Sequence, residues 1–161
     1  MKKKIIGLFL ILSVSATTFA QEYVSSTYKE WVSKSADFME KNQLDSAEYA
    51  LNQAIMSDPK NKNNSWLMTS LGTIQQSLGK HDAAYISLTA ALNNHPESAF
   101  ILHQRAGLLM EMERWDEARA DYNTILKVDS LDIEALYNRG VLKLEMKDTE
   151  GAQKDFEVAA Q

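Results

Sequence analysis

Alanine returns every 34 residues along the second half of this chain, at Ala84, Ala118 and Ala152. A bulky residue follows each by four places, at Leu88, Tyr122 and Phe156, and a small or aliphatic one by seven, at Ala91, Ile125 and Ala159. An earlier copy, Ala47, Leu51 and Ala54, precedes the Ala84 copy by 37 residues. A fixed period of this size means that each unit is one supersecondary element, which buries its apolar face only by stacking on its neighbours. A chain of this kind is built to hold something.

Within a unit the apolar spacing is helical on both sides of a short turn. Met68, Leu71, Gly72 and Gln75 fall at i, i+3, i+4 and i+7, and after the turn Ala84, Leu88 and Ala91 fall at i, i+4 and i+7. Each set therefore shares one helix face, and the unit reads as two antiparallel helices. Gly79 stands where the first helix must stop, because glycine tolerates the left-handed conformation that closes a helix. Pro59 and Pro96 mark the ends of second helices, where a missing N–H does no harm. The alanines at 47, 84, 118 and 152 are expected at the contact of the paired helices, where short side chains permit close approach. The fold class is all-α.

A 34-residue helix-turn-helix with small residues at its eighth and twentieth places, a large one four further on and a closing proline resembles the tetratricopeptide repeat. Tyr137-Asn138-Arg139-Gly140, followed by Gly151-Ala152 and Asp155-Phe156, carries the resemblance most fully. It implies a right-handed α-solenoid of about four units, at 28–61, 65–98, 99–132 and 133–161, within a domain of 21–161. Three features depart from the pattern. Lys62, Asn63 and Asn64 are extra residues between the first two units, which a surface loop absorbs at little cost. Ser130 replaces the proline of the third unit, and Lys34 and Ser35 stand where leucine and glycine are usual in the first, as in a looser terminal repeat.

Residues 1–20 are set apart from this array. Lys2, Lys3 and Lys4 precede the apolar run Ile5 to Val14, and the small residues Thr18 and Ala20 precede Gln21. This is the pattern of a secretory signal peptide, and the run is short for a membrane span. The expected location is outside the cytoplasm: the periplasm of a Gram-negative bacterium, or the extracellular space. No transmembrane segment is expected in the mature chain. The sequence has no cysteine, which excludes disulfides, thiolate catalysis, zinc–cysteine sites and lipid attachment to an N-terminal cysteine. Stability rests on buried apolar surface, for which about 141 mature residues suffice. Removing three lysines from the 17 basic residues leaves 14 against 22 acidic ones, a net of −8, which opposes nucleic-acid binding.

Two units have arginine at the seventh place, Arg105 and Arg139, and these two also have aspartate sixteen residues later, Asp121 and Asp155. The other units hold Lys34 with Ala50 and Leu71 with Ser87. Because these positions lie on facing sides of one hairpin, the pairs read as structural ion pairs, shared with the adjoining unit, rather than as ligand contacts.

Catalytic and metal chemistry find no pattern. His81, His95 and His103 lack the i, i+4 spacing of a helical metal pair, and there is no HExxH. There is no G-x-S-x-G and no phosphate-cradling glycine loop. Acidic residues fall on solvent-facing helix positions or in turns, where carboxylates cap helix starts, and no calcium-loop pattern occurs. The expectation is no enzyme, no metal and no cofactor.

With one stripe of each first helix used in packing, the opposite stripe is open for contact. The resemblance implies that it lines a concave groove that receives an extended or helical peptide, and that Trp66, Thr69, Thr73, Phe100, His103, Gln104, Tyr137 and Asn138 bind it. Charge on the stripe is confined to Glu111, Glu134 and Glu145. Aromatic rings beside amides suit a binding surface, since they give apolar area and oriented hydrogen bonds. The other reading of these rings is packing on neighbouring helices. Some of the family hold a C-terminal carboxylate with lysine, asparagine and arginine, but the corresponding places here are Val32, Ala36, Ser70 and Gln104, or Thr69, Thr73, Gln104 and Asn138. The expected function is a non-catalytic module that binds a peptide or protein segment in the cell envelope. The alternative is a self-associating scaffold or the first module of a larger envelope assembly.

Overall fold

A computed structural model describes residue 24 and residues 26–161 of the chain. The expected signal peptide at 1–20 lies outside the described residues. Eight helices run through them: α1 (26–40), α2 (Leu44–Ser57), α3 (Asn64–Ser77), α4 (His81–Leu92), α5 (Ala99–Glu111), α6 (Trp115–Val128), α7 (Ile133–Glu145) and α8 (Thr149–Ala159). No strand occurs among the described residues. Helices α5 and α7 start on the first residues of the third and fourth expected units. The chain forms two compact units, which divide after Asn61.

The first unit carries α1 and α2. Ala47, Ala50, Leu51 and Ala54, at i, i+3, i+4 and i+7, form the buried face of α2. Trp31 meets Tyr49 edge-on at 5.7 Å, and the Lys34 ammonium lies 4.4 Å from the centroid of the Trp31 ring, with Glu30 at 2.7 Å.

The second unit, Lys62–Gln161, holds three hairpins, α3–α4, α5–α6 and α7–α8, each packed on the next through α4 and α5 or α6 and α7. Its core runs from Ala84 and Leu88 through Ile101, Leu108, Tyr122 and Ile125 to Ala135 and Leu142. Full burial of one such leucine or isoleucine contributes about 2 kcal/mol. Ala84, Ala118 and Ala152 are all fully buried. Opposite them the first helices present Gly72, Ala106 and Gly140. A Cβ on Gly72 would lie 2.6 Å from Leu88 Cγ and 3.2 Å from the Ala84 carbonyl oxygen. One on Gly140 would lie 2.5 Å from the Phe156 ring. At both glycines the bulky residue four places after the alanine thus sits on the gap left by the partner helix.

Each hairpin turns through one left-handed residue: Asn42 (φ 54°), Gly79 (72°), Glu113 (57°) and Lys147 (64°). Only Gly79 and Asn42 are residue types that favour this region, so Glu113 and Lys147 carry a strain of about 1–2 kcal/mol each. Asp132 and Asp148 cap α7 and α8 by accepting from the Ala135 and Gly151 N–H groups.

Candidate functional site

The ion pairs come first, because they fix the first helices that carry the stripe. Arg105 Nε and Nη2 donate to the two oxygens of Asp121 at 2.8 and 2.6 Å. Arg139 does the same to Asp155 at the same distances. Both aspartates are buried and both guanidiniums are largely covered. The remaining Nη1 reaches back to the preceding hairpin, to Thr89 Oγ1 at 3.3 Å from Arg105 and to Asn123 Oδ1 at 2.8 Å from Arg139. Each arginine is thus tied sixteen residues forward and sixteen residues back. Lys143 adds a second cation to Asp155 at 2.8 Å. Burial pushes the Asp155 carboxyl up, but hydrogen bonds from Arg139 and Lys143 outweigh it and hold the group below its ordinary value. The hydrogen bond to Asp121 raises Arg105 above its own. These groups are committed to structure.

The stripes of α3, α5 and α7 adjoin. Trp66 lies 6.3 Å from Phe100, ring to ring, and 6.0 Å from His95. Thr73 donates to Gln104 at 3.5 Å, and Gln76 to Glu111 at 2.8 Å. His103 Nε2 is 3.3 Å from Asp132, its Nδ1 is 3.8 Å from Glu134, and its ring lies 6.1 Å from Tyr122. Burial pushes the Tyr122 phenol up to about 12, helped by the charges of Glu134 and Asp121.

The expected binding residues differ in exposure, even at one place in the repeat. Trp66, Phe100 and Tyr137 stand 51, 56 and 58% exposed, while Thr73 is also exposed and Gln104 and Asn138 are half-buried. Thr69 departs from the expectation. It is 2% exposed and its hydroxyl donates to the Ser65 carbonyl at 2.8 Å, so it offers nothing to a ligand. Thr69, His103 and Tyr137 occupy the same place in successive units, and the first two are covered while the third is open. For His103 the cover is the start of α7, which brings Asp132 and Glu134 against it. Helical spacing gives the direction of a side chain but not which neighbour lies over it. The contacts to Thr89 and Asn123 were legible only as a symmetric spacing about each arginine.

An open cleft of about 630 Å³ lies between α7 and α8, lined by Ile133, Glu134, Tyr137, Phe156, Ala159 and Ala160. Glu134 is its only carboxylate. Among the described residues no group of three or more histidine or acidic side chains is placed to hold a metal ion, and no helix is long and apolar enough to cross a membrane.

Residues 134–161 match the family model of the tetratricopeptide repeat. A tetratricopeptide repeat protein of Parabacteroides merdae is similar in structure, with a TM-score of 0.81 and 41% identity over 83% of this chain and 52% of that one. The chain thus spans about half the length of that relative. MamA aligns with a TM-score of 0.76 at 18% identity, over 84% of this chain and 72% of its own. YrrB, a TPR protein with an unusual peptide-binding site, gives 0.74 at 18% identity, over 91% of this chain and 79% of its own. These two likenesses concern the fold alone. Human N-alpha-acetyltransferase 16, the NatA auxiliary subunit, is 29% identical over 97 residues, which are 60% of this chain and 11% of that protein. Proteins of this repeat type are typically non-catalytic scaffolds, and the fold implies protein partners. The family match in the last hairpin, the same residue pattern in the hairpins before it, and the all-helical likeness to solved repeat structures make one finding: residues 134–161 carry a tetratricopeptide repeat, and the chain has the fold of tetratricopeptide repeat proteins.

Proposed function

We propose that the chain is a non-catalytic interaction module that receives a peptide or protein segment along the stripe of α3, α5 and α7, and that it works in the cell envelope or outside the cell after loss of residues 1–20. The observation that carries this reading is the exposure of Trp66, Phe100 and Tyr137 on adjoining helices whose other faces are buried. Large rings in water are unfavourable, and a row of them on a repeat scaffold is the composition from which binding surfaces draw most of their affinity. The amides of Gln104 and Asn138 beside the rings supply direction. Peptide binding named for YrrB supports the same use of the fold here. The carboxylate-clamp residues are lacking, so a free C-terminus is not the group recognised.

The test places a photo-crosslinking residue at Phe100, at Thr73 or, as a control away from the stripe, at Glu150 in the full chain expressed in its native cell type. Covalent adducts from Phe100 and Thr73 but not from Glu150 are expected. Equal yields at all three positions would reject the stripe. Fractionation with N-terminal sequencing of the mature protein checks the location, with Gln21 expected as the first residue.

A further inference from the structure

The stripe is chemically one-sided. Across its positions on α3, α5 and α7 there is no lysine or arginine, whereas Glu111, Glu134 and Glu145 are all exposed. Six cations of the same unit are tied elsewhere: Arg105 to Asp121, Arg139 and Lys143 to Asp155, Arg114 to Glu117, Arg119 to Asp116 and Lys154 to Glu150. None of these pairs uses a stripe carboxylate. What approaches them is neutral or weakly basic: Gln76 and His81 at Glu111, and His103 at Glu134.

The chain also shows how it seats its own cations. Lys34 lies over the Trp31 ring at 4.4 Å with Glu30 at 2.7 Å, and Arg114 lies over the Tyr85 ring at 4.0 Å with Glu117 at 2.7 Å. In both places one aromatic face and one glutamate hold one positive head, the ring through its quadrupole and the carboxylate through its charge. Glu134 and Tyr137, one helical turn apart on α7, both line the open cleft and present the same two groups. Behind them Ile133, Phe156 and Ala159 form an apolar wall, and Tyr137 and Phe156 lie 5.6 Å apart. A long aliphatic stem ending in a cation fits both parts of such a cleft.

We infer that the stripe takes a basic segment of a partner protein and that a lysine or arginine of that segment is held in the α7–α8 cleft by Glu134 and the Tyr137 ring. This rests on the stripe being the binding surface, and the arms of the test separate the two. Three labelled peptides are titrated against the mature chain by fluorescence anisotropy: alternating lysine and leucine, and the same peptide with glutamine or with glutamate in place of lysine. The lysine peptide is expected to bind about tenfold more tightly than the glutamine one and to weaken with salt. Glu134→Gln should weaken it about fivefold, in the range of a cation–ring and carboxylate contact. Glu150→Gln removes the same charge from outside the stripe and should change nothing, with thermal melts of both variants matching the parent.

If the glutamine or glutamate peptide binds as well as the lysine one and Phe100→Ala weakens it, the stripe stands as a binding surface and the basic partner is overturned. Equal loss in Glu134→Gln and Glu150→Gln would reduce the effect to net charge and overturn the cleft. Binding of none of the three peptides would overturn both readings. Sedimentation showing a dimer that Tyr137→Ala dissociates would assign the cleft to a second copy and likewise overturn the inference.

Discussion

The α3–α4 and α7–α8 hairpins have the same helical crossing with opposite chemistry beside it. Each places a glycine beneath a bulky side chain, Gly72 under Leu88 and Gly140 under Phe156, and each buries an alanine of the second helix, Ala84 or Ala152. One residue before the glycine they part. Arg139 clamps Asp155 with two short hydrogen bonds, whereas the equivalent pair is Leu71 and Ser87, with Leu71 buried and Ser87 donating to Gln75 at 2.7 Å. The crossing is therefore set by the fit of small against large, and charge is an addition to it. What the clamp adds is the bond from Arg139 to Asn123 of the hairpin before.

The sharpest way to break this comparison is to orphan one side of the clamp. Asp155→Ala leaves the largely covered Arg139 and Lys143 beside each other without their acid and should cost about 3 kcal/mol in denaturant unfolding. Ser87→Ala removes only a neutral hydrogen bond and should cost about 1 kcal/mol. A steric change tests the shared part. Gly72→Ala should lose about 1–2 kcal/mol, because Leu88 is fully buried and the Ala84 carbonyl cannot retreat. Gly140→Ala should lose less, since the half-exposed Phe156 ring can swing away and the helix gains propensity.

Acid sharpens the difference further. Asp155 titrates below its ordinary value in the folded chain, so its contribution is complete above the unfolded value of about 4 and disappears as pH falls through the lowered one. Stability measured from pH 6 downward should decline in the parent, and Asp155→Asn should remove part of that decline, while Ser87→Ala leaves its slope unchanged. Lys147→Gly, which relieves the left-handed turn of the α7–α8 hairpin, should raise stability by about 0.5–1 kcal/mol in thermal melts. The smallest effect belongs to the exchange itself. Arg139→Leu with Asp155→Ser and Lys143→Gln copies the α3–α4 arrangement of Leu71, Ser87 and Gln75 and should shift stability by no more than about 1 kcal/mol, because a packed leucine and a neutral hydrogen bond can replace an ion-pair cluster without leaving a charge unpaired.

Much of this was readable in the chain before any coordinates. The alanine period located the crossings, and the joint occurrence of arginine and aspartate located the clamps, because both depend on spacing along helices. Glu113 and Lys147 escaped notice as left-handed residues, since neither is a turn-forming type. Only their register with Gly79, 34 and 68 residues on, marks them. Thr69 pointed as the helical wheel requires, yet its hydroxyl turns back onto the Ser65 carbonyl and its place is buried. The open cleft at Glu134 and Tyr137 could not be seen either, because it depends on which places of the repeat are covered by another helix.

An arginine rooted in one hairpin and bonded to the one before gives loss of structure a direction. If α7 and α8 detach first, Asn123 loses a partner but the Arg105–Asp121 clamp keeps α5 against α6 and against Thr89. Opening the middle hairpin first would break contacts on both of its sides. Amide exchange should accordingly be slowest in α5 and α6, the hairpin bonded on both of its sides.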